Sequence, residues 1–227
     1  WYLVYRHLVR AKIDGIRRSQ AGLSTAEARQ LAARQACHIG LAARHAKPPA
    51  PRLLLMYGYS GSGKSRLAQR LAPSLPAVVV RSDLERKRLH GLDPHQSAAA
   101  AVGAGLYDAA VSEQTYARLA DVARTALAAG WNIIVDAAFL DHERRETFLQ
   151  LGLDAGARPA LLHCDAPPAV LRERVAQRRG DPSDAGTAVL EAQLARRDMP
   201  GPLETRYRIP VDTRDDPDVT ALAAALR

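Results

Sequence analysis

The residues best equipped for chemistry lie close together, at Gly58-Tyr59-Ser60-Gly61-Ser62-Gly63-Lys64-Ser65. The spacing G-x-x-x-x-G-K-S is that of a loop that cradles phosphate. Glycines at 58, 61 and 63 let the backbone turn successive amides inward around phosphate oxygens. A helix beginning near Lys64 adds the positive end of its dipole. Lys64 can bridge the β- and γ-phosphates of a nucleoside triphosphate, and the Ser65 hydroxyl can meet Mg²⁺. Gly58, Ser60, Gly61, Ser62, Gly63, Lys64, Ser65 and Arg66 are therefore the expected cofactor-binding set, with ATP and Mg²⁺ as cofactors.

Such a loop implies a nucleotide but not a reaction. Asp136 closes the apolar run Asn132-Ile133-Ile134-Val135, so it belongs at the end of a strand, beside the phosphates. A carboxylate there can hold the metal directly or through water. Capping of the next segment is the alternative. Asp83 follows a second apolar run, in Arg81-Ser82-Asp83-Leu84-Glu85-Arg86-Lys87. It can take the proton from a hydroxyl that attacks the γ-phosphorus. Arg86, three residues on and on the same helical face, can bind a polar or anionic acceptor. Read without the loop, Asp83 would be a helix cap and Arg86 a solvated residue. In Arg172-Glu173-Arg174-Val175-Ala176-Gln177-Arg178-Arg179, Arg174 and Arg178 are spaced to share one helical face. Such a helix can close as a lid and neutralise charge on a transferred phosphoryl group. An exposed basic helix paired with Glu173 is the alternative.

Strands and helices must alternate to place these groups. Apolar runs at 52–57, 77–81, 131–135, 159–164 and 207–211 read as five strands. Helices are expected through 71, at 83–89, 111–129, 141–151, 168–179 and 187–197, and from about 218. Continuous apolar strands separated by helices indicate a parallel sheet covered on both faces. Residues 94–105 carry no clear signal and read as a loop. Residues 1–46 read as helical, with Ser24-Thr25-Ala26-Glu27 a capping box. Lys47-Pro48-Pro49-Ala50-Pro51 breaks the helix and reads as a linker. The expected division is a helical extension at 1–46, a linker at 47–51 and a catalytic domain at 52–227.

The phosphate loop, Ser82-Asp83 with Arg86-Lys87, the strand end at Asp136 and the pair Arg174/Arg178 together resemble P-loop kinases of the polynucleotide-kinase and zeta-toxin type, in the AAA-domain ATPase group. The resemblance spans about residues 52–227. It implies an α/β P-loop NTPase fold: a three-layer sandwich with a parallel five-stranded sheet, a helical lid and an N-terminal helical extension. It also implies Lys64 and the lid arginines Arg174 and Arg178 as catalytic groups, Asp83 as general base, and Asp83 with Arg86 as the acceptor-binding pair. Ser65 and Asp136 fall at the metal positions. The implied activity is ATP-dependent transfer of the γ-phosphate to a hydroxyl of a small molecule or metabolite. The alternatives are a polynucleotide 5′-hydroxyl kinase and a non-kinase regulatory ATPase. An acid after the second strand and a basic lid in the same chain favour the kinase. Asp212-Thr213-Arg214 falls where such kinases contact the base. Trp1-Tyr2-Leu3-Val4-Tyr5-Arg6 and Arg10-Ala11-Lys12 resemble the closing helices of an aminoglycoside-phosphotransferase-like domain, without its catalytic-loop motif.

The totals agree with this class. The chain has 227 residues, 47% hydrophobic and 25% charged, enough for one α/β domain and an appendage. No apolar run approaches the roughly 20 residues that span a bilayer. The first ten residues, with Arg6, His7 and Arg10, do not resemble a signal peptide. No membrane association and a cytoplasmic location are expected, and the missing initiator Met suggests an excised piece. Cys37 and Cys164 lie far apart without a CxxC pair, which argues against a disulfide framework or structural zinc. The net charge of +8 suits anionic partners. However, its arginines are scattered and aromatics are only 5%, so a stacking surface for nucleic acid is not favoured.

Overall fold

The computed structural model describes residues 1–46, 49–93, 109–178, 183, 185–195 and 200–226. The chain divides into two compact units, Trp1–Pro49 and Ala50–Arg227. The first is a pair of helices, α1 (Tyr2–Arg18) and α2 (Thr25–Ala46). The capping box forms at the start of α2, where the Ser24 amide donates to Glu27 at 2.9 Å and the Glu27 amide donates to Ser24 Oγ at 3.3 Å. Buried Asp14 of α1 pairs with Arg34 of α2 at 3.0 Å. Of the expected linker, Lys47 and Pro48 fall outside the described residues.

The second unit alternates as its apolar runs require. The strands are β1 (Arg52–Tyr57), β2 (Ala77–Arg81), β3 (Asn132–Asp136), β4 (Arg158–Asp165) and β5 (Arg208–Asp212). Between and after them lie α3 (Lys64–Ser74), α4 (Ser82–Leu89), α5 (Ala109–Ala128), α6 (His142–Asp154), α7 (Pro168–Gln177), α8 (Thr187–Ala195), α9 (Pro202–Tyr207) and α10 (Val219–Ala225). The sheet is parallel throughout, in the order β2-β3-β1-β4-β5. From central β1 the chain jumps to edge strand β2, returns to β3 between them, then crosses β1 to β4 and β5, so the loop after β1 sits at the switch point where α/β sheets bind ligands.

Period-two alternation sorts the core onto the two faces of the sheet. Leu53, Leu55, Ile133, Val135 and Leu161 face one way, packing with Leu119 and Leu127 of α5 and Phe148 and Leu149 of α6. Leu54, Met56, Ile134 and Leu162 face the other way, against Leu67 and Leu71 of α3 and Val219 and Ala223 of α10. The three-layer sandwich expected from the sequence is therefore the observed fold. Helix α9 was not expected. The segment 94–105 and residues 196–197 fall outside the described residues.

One half-buried group at the sheet end should give the fold a pH dependence. His163 stacks on Tyr57 with ring centroids 4.4 Å apart, and Arg208 Nη2 lies 2.6 Å from its Nδ1. Burial, with Arg208 and Arg145 adding to it against the opposite pull of Asp165, lowers its pKa to about 4. The neutral ring therefore contributes stability above pH 6.5, and that contribution is lost as pH falls from 6.5 toward 4. Discounted for the ring's partial exposure to solvent, the loss should be about 1–2 kcal/mol. Thermal melts across this range should show that slope, and His163→Gln should flatten it. An equal slope in both proteins would place the acid sensitivity elsewhere.

Candidate functional site: a phosphate loop and an adjoining cavity

The loop between β1 and α3 has the backbone that its glycines predict. Gly58, Gly61 and Gly63 adopt φ of +148°, +81° and +76°. At Gly58 a Cβ would stand 2.3 Å from the Cys164 carbonyl oxygen and 2.7 Å from Ser62 Oγ. Gly58→Ala should therefore destabilise the protein by about 2–4 kcal/mol. A denaturant midpoint unchanged from wild type would show that the loop has room the structure does not display. α3 starts at Lys64 with Gly63 at its N-cap, so its dipole points into the loop. Lys64 Nζ donates to the Tyr59 carbonyl at 3.2 Å, folded over the loop it would share with phosphate.

Asp136 ends β3 and is almost fully buried. Burial raises its pKa; Lys64, the Ser65 hydroxyl and Arg81 oppose that, while Asp83 adds to it. Its Oδ2 faces Arg81 Nε at 3.2 Å, because β2 and β3 run in a register that sets Arg81 opposite Asp136. Its Oδ1 is buried without a hydrogen-bond partner. A carboxylate with a vacant buried lone pair beside a serine hydroxyl fits a hard cation that takes oxygen ligands. Ser65 and Asp136 are thus the residues suited to Mg²⁺.

Asp83 lies in the first turn of α4 rather than at its cap, which is Arg81 and makes no side-chain cap bond. Its Oδ1 accepts from Arg86 Nη1 at 3.3 Å. Both line a cavity of about 530 Å³ together with Ser60, Lys64, Tyr116 and Arg144. Loop lysine, acid and arginine therefore meet in one space. Tyr116 OH accepts from the Phe139 amide at 3.3 Å, and Arg145 donates to the Phe139 carbonyl at 2.6 Å. These bonds clamp Phe139 at φ +49°, a conformation unusual for so bulky a residue.

The lid pair departs from expectation. α7 ends at Gln177, and Arg178 continues in extended backbone with ψ of 128°. Arg178 is thus the C-cap residue, and the two arginines turn to different partners. Arg174 donates to the Thr213 and Arg214 carbonyls at 2.7 and 2.9 Å and to Gly61 O at 3.4 Å. These three carbonyls, from two loops, hold Arg174 against the phosphate loop. Arg178 Nη1 donates to the Ala185 carbonyl at 3.5 Å; Arg179 lies outside the described residues. Arg66 lines a second cavity of about 320 Å³, with Gly63, Arg174 and Thr213. Thr213 Oγ1 donates to Ser62 O and lies equally close to Asp165 O, 2.8 Å from each, which fixes the expected base-side segment to the loop. Sequence reasoning missed Arg81, Tyr116, Arg144 and Gln193. Only Arg81, two residues before Asp83, carried a signal that strand register could have exposed.

A parallel sheet whose first strand ends in G-x-x-x-x-G-K-S at the switch point defines a P-loop nucleotide-binding protein. The AAA domain family matches residues 53–200, and the chain belongs to that family. An uncharacterized protein of Mycobacterium tuberculosis is 32% identical over 197 residues, covering 87% of this chain. The chain spans 38% of that relative's length. Among solved structures, a candidate kinase from Chloroflexus aurantiacus is 27% identical with a TM-score of 0.56, over 79% of this chain and 98% of its own. The APS kinase of Mycobacterium tuberculosis, in complex with AMPPNP and APS, shares the fold at 23% identity and a TM-score of 0.53, over 79% and 96% of the two chains.

Proposed function

We propose that residues 52–227 form an ATP-dependent kinase that transfers the γ-phosphate to a hydroxyl of a small molecule or metabolite, in the cytoplasm. The observation that carries this reading is the cavity of about 530 Å³ joining Lys64 of the phosphate loop to Asp83 and Arg86. Its volume suits a metabolite. The kinase fold of the neighbours and the AMPPNP bound in one of them support ATP as donor. Among the described residues, no helix is long and apolar enough to cross a membrane.

In this reading the loop amides and Lys64 hold the β- and γ-phosphates. Mg²⁺ held by Ser65 and Asp136 would neutralise charge on the phosphates. Asp83 takes the proton of the acceptor hydroxyl, and Arg86 orients the acceptor. Arg174 ties the base-side segment to the loop, so it acts on the phosphates through position, with Arg178 the second lid arginine of this reading. Residues 1–46 are a separate helical extension, which by its resemblance would derive from an aminoglycoside-phosphotransferase-like domain. The direct test is transfer from γ-labelled ATP to a panel of sugars, aminoglycosides and 5′-hydroxyl oligonucleotides. Label on small hydroxyl compounds is expected. Label on oligonucleotides alone would turn the reading to a polynucleotide kinase, and ATP consumption without transfer to a regulatory ATPase.

A further inference from the structure

Helix α8 reaches the phosphate loop with one polar side chain. Gln193 Oε1 accepts from the Ser60 amide at 2.9 Å. Ser60 is buried, and it lines the cavity shared by Lys64, Asp83 and Arg86. The cavity on the base side is lined instead by Gly63, Arg66 and Leu67. The Ser60 amide therefore belongs to the acceptor side of the loop, where the proposed reading puts the γ-phosphate, and the carboxamide oxygen takes an amide that would meet it. α8 is firmly seated there. Its Leu190 packs with Ala166, Leu171 and Val175, with Tyr59 of the loop and Leu194 alongside. Arg172 of α7 forks onto Glu191 at 2.6 and 3.1 Å.

We propose that Gln193 sets the discrimination between nucleoside triphosphate and diphosphate, by holding the Ser60 amide until a γ-phosphate displaces it. The inference rests on reading Gly58–Ser65 as a nucleotide loop. A diphosphate leaves the carboxamide in place, and α8 stays latched. A triphosphate brings an anionic oxygen, a stronger acceptor than an amide carbonyl, to the same N–H. It wins the exchange but spends part of its binding free energy on displacing Gln193. α8 is thereby released from the loop only when the donor carries a group to transfer.

Calorimetric titration of the chain with Mg²⁺–AMPPNP and Mg²⁺–ADP separates the possibilities. Gln193→Leu removes the competing oxygen and should tighten AMPPNP by about three- to tenfold, the size of one hydrogen bond, with ADP within about twofold. Gln193→Glu places a carboxylate on the same amide, where it both bonds more strongly and repels the γ-phosphate. It should weaken AMPPNP by about tenfold or more relative to ADP. ADP binding in each variant reports that the loop is folded. Weaker AMPPNP binding by Gln193→Leu, parallel shifts for both nucleotides, or no shift in either variant would overturn the inference while leaving the nucleotide loop intact. Failure of the wild-type chain to bind either nucleotide would overturn the reading of the loop itself, and the inference with it.

Discussion

Lys64→Ala is expected to lower phosphoryl transfer by about a thousandfold or more while the domain remains folded. The ammonium is the one side-chain cation within Gly58–Ser65. It lines the cavity with Asp83 and Arg86, where in the proposed reading charge would develop as the γ-phosphoryl leaves. Its contact within the loop is a single hydrogen bond to the Tyr59 carbonyl at 3.2 Å. Losing a partly exposed bond of this kind costs stability only about 1 kcal/mol. The chemical penalty is far larger because the interaction strengthens in the transition state, where it lowers the barrier. Lys64 also favours the charged form of Asp136, so the substitution should move that buried carboxyl further upward and weaken its hold on Mg²⁺. Initial-rate assays across Mg²⁺ concentrations, beside a thermal melt, check both parts. Transfer within tenfold of wild type would remove Lys64 from the chemistry.

What the sequence disclosed follows from the range of the interactions involved. The phosphate loop was legible because its function needs backbone freedom, and three glycines with positive φ record that need directly in residue type. β1 and β3 were legible because a strand buried on both faces must be continuously apolar. Helix α9 was not legible. It is six residues long, and its first amides are met by Glu146 of α6, at 3.0 Å to Leu203 and 3.2 Å to Glu204. That cap comes from a residue more than fifty positions away. The partners of the lid arginines were not legible for a related reason. Spacing of i and i+4 places two side chains on a helix but does not say what they meet, and α7 ends at Gln177, two residues short of the expected 179. The fate of Arg174 was decided by the Thr213 and Arg214 carbonyls, brought to it by β5. The link between Arg81 and Asp136 likewise needs β2 beside β3, a pairing that no local pattern records.

Asp83→Asn is expected to lower turnover by about 10²–10⁴-fold with little change in ATP binding. The carboxamide preserves shape, and its oxygen can still accept from Arg86 Nη1, the partner now at 3.3 Å. The ability to take a proton is lost. Arg86 is largely buried, so an alanine at 83 would strip it of a charged partner and confound catalysis with folding. Asparagine avoids most of that cost. A rival role for Asp83 as mere counter-ion to Arg86 makes a different forecast: Asp83→Asn would then weaken acceptor binding and leave turnover at saturation intact. The pH profile separates the two. In the general-base role the acid limb of the turnover profile disappears in the variant, because the group that must be ionised is gone. The same substitution should lower the pKa of Asp136, since the Asp83 charge now raises it. Mg²⁺ dependence should therefore extend to lower pH even as turnover collapses. A variant that lost turnover and Mg²⁺ affinity together would place Asp83 at the metal instead of at the acceptor.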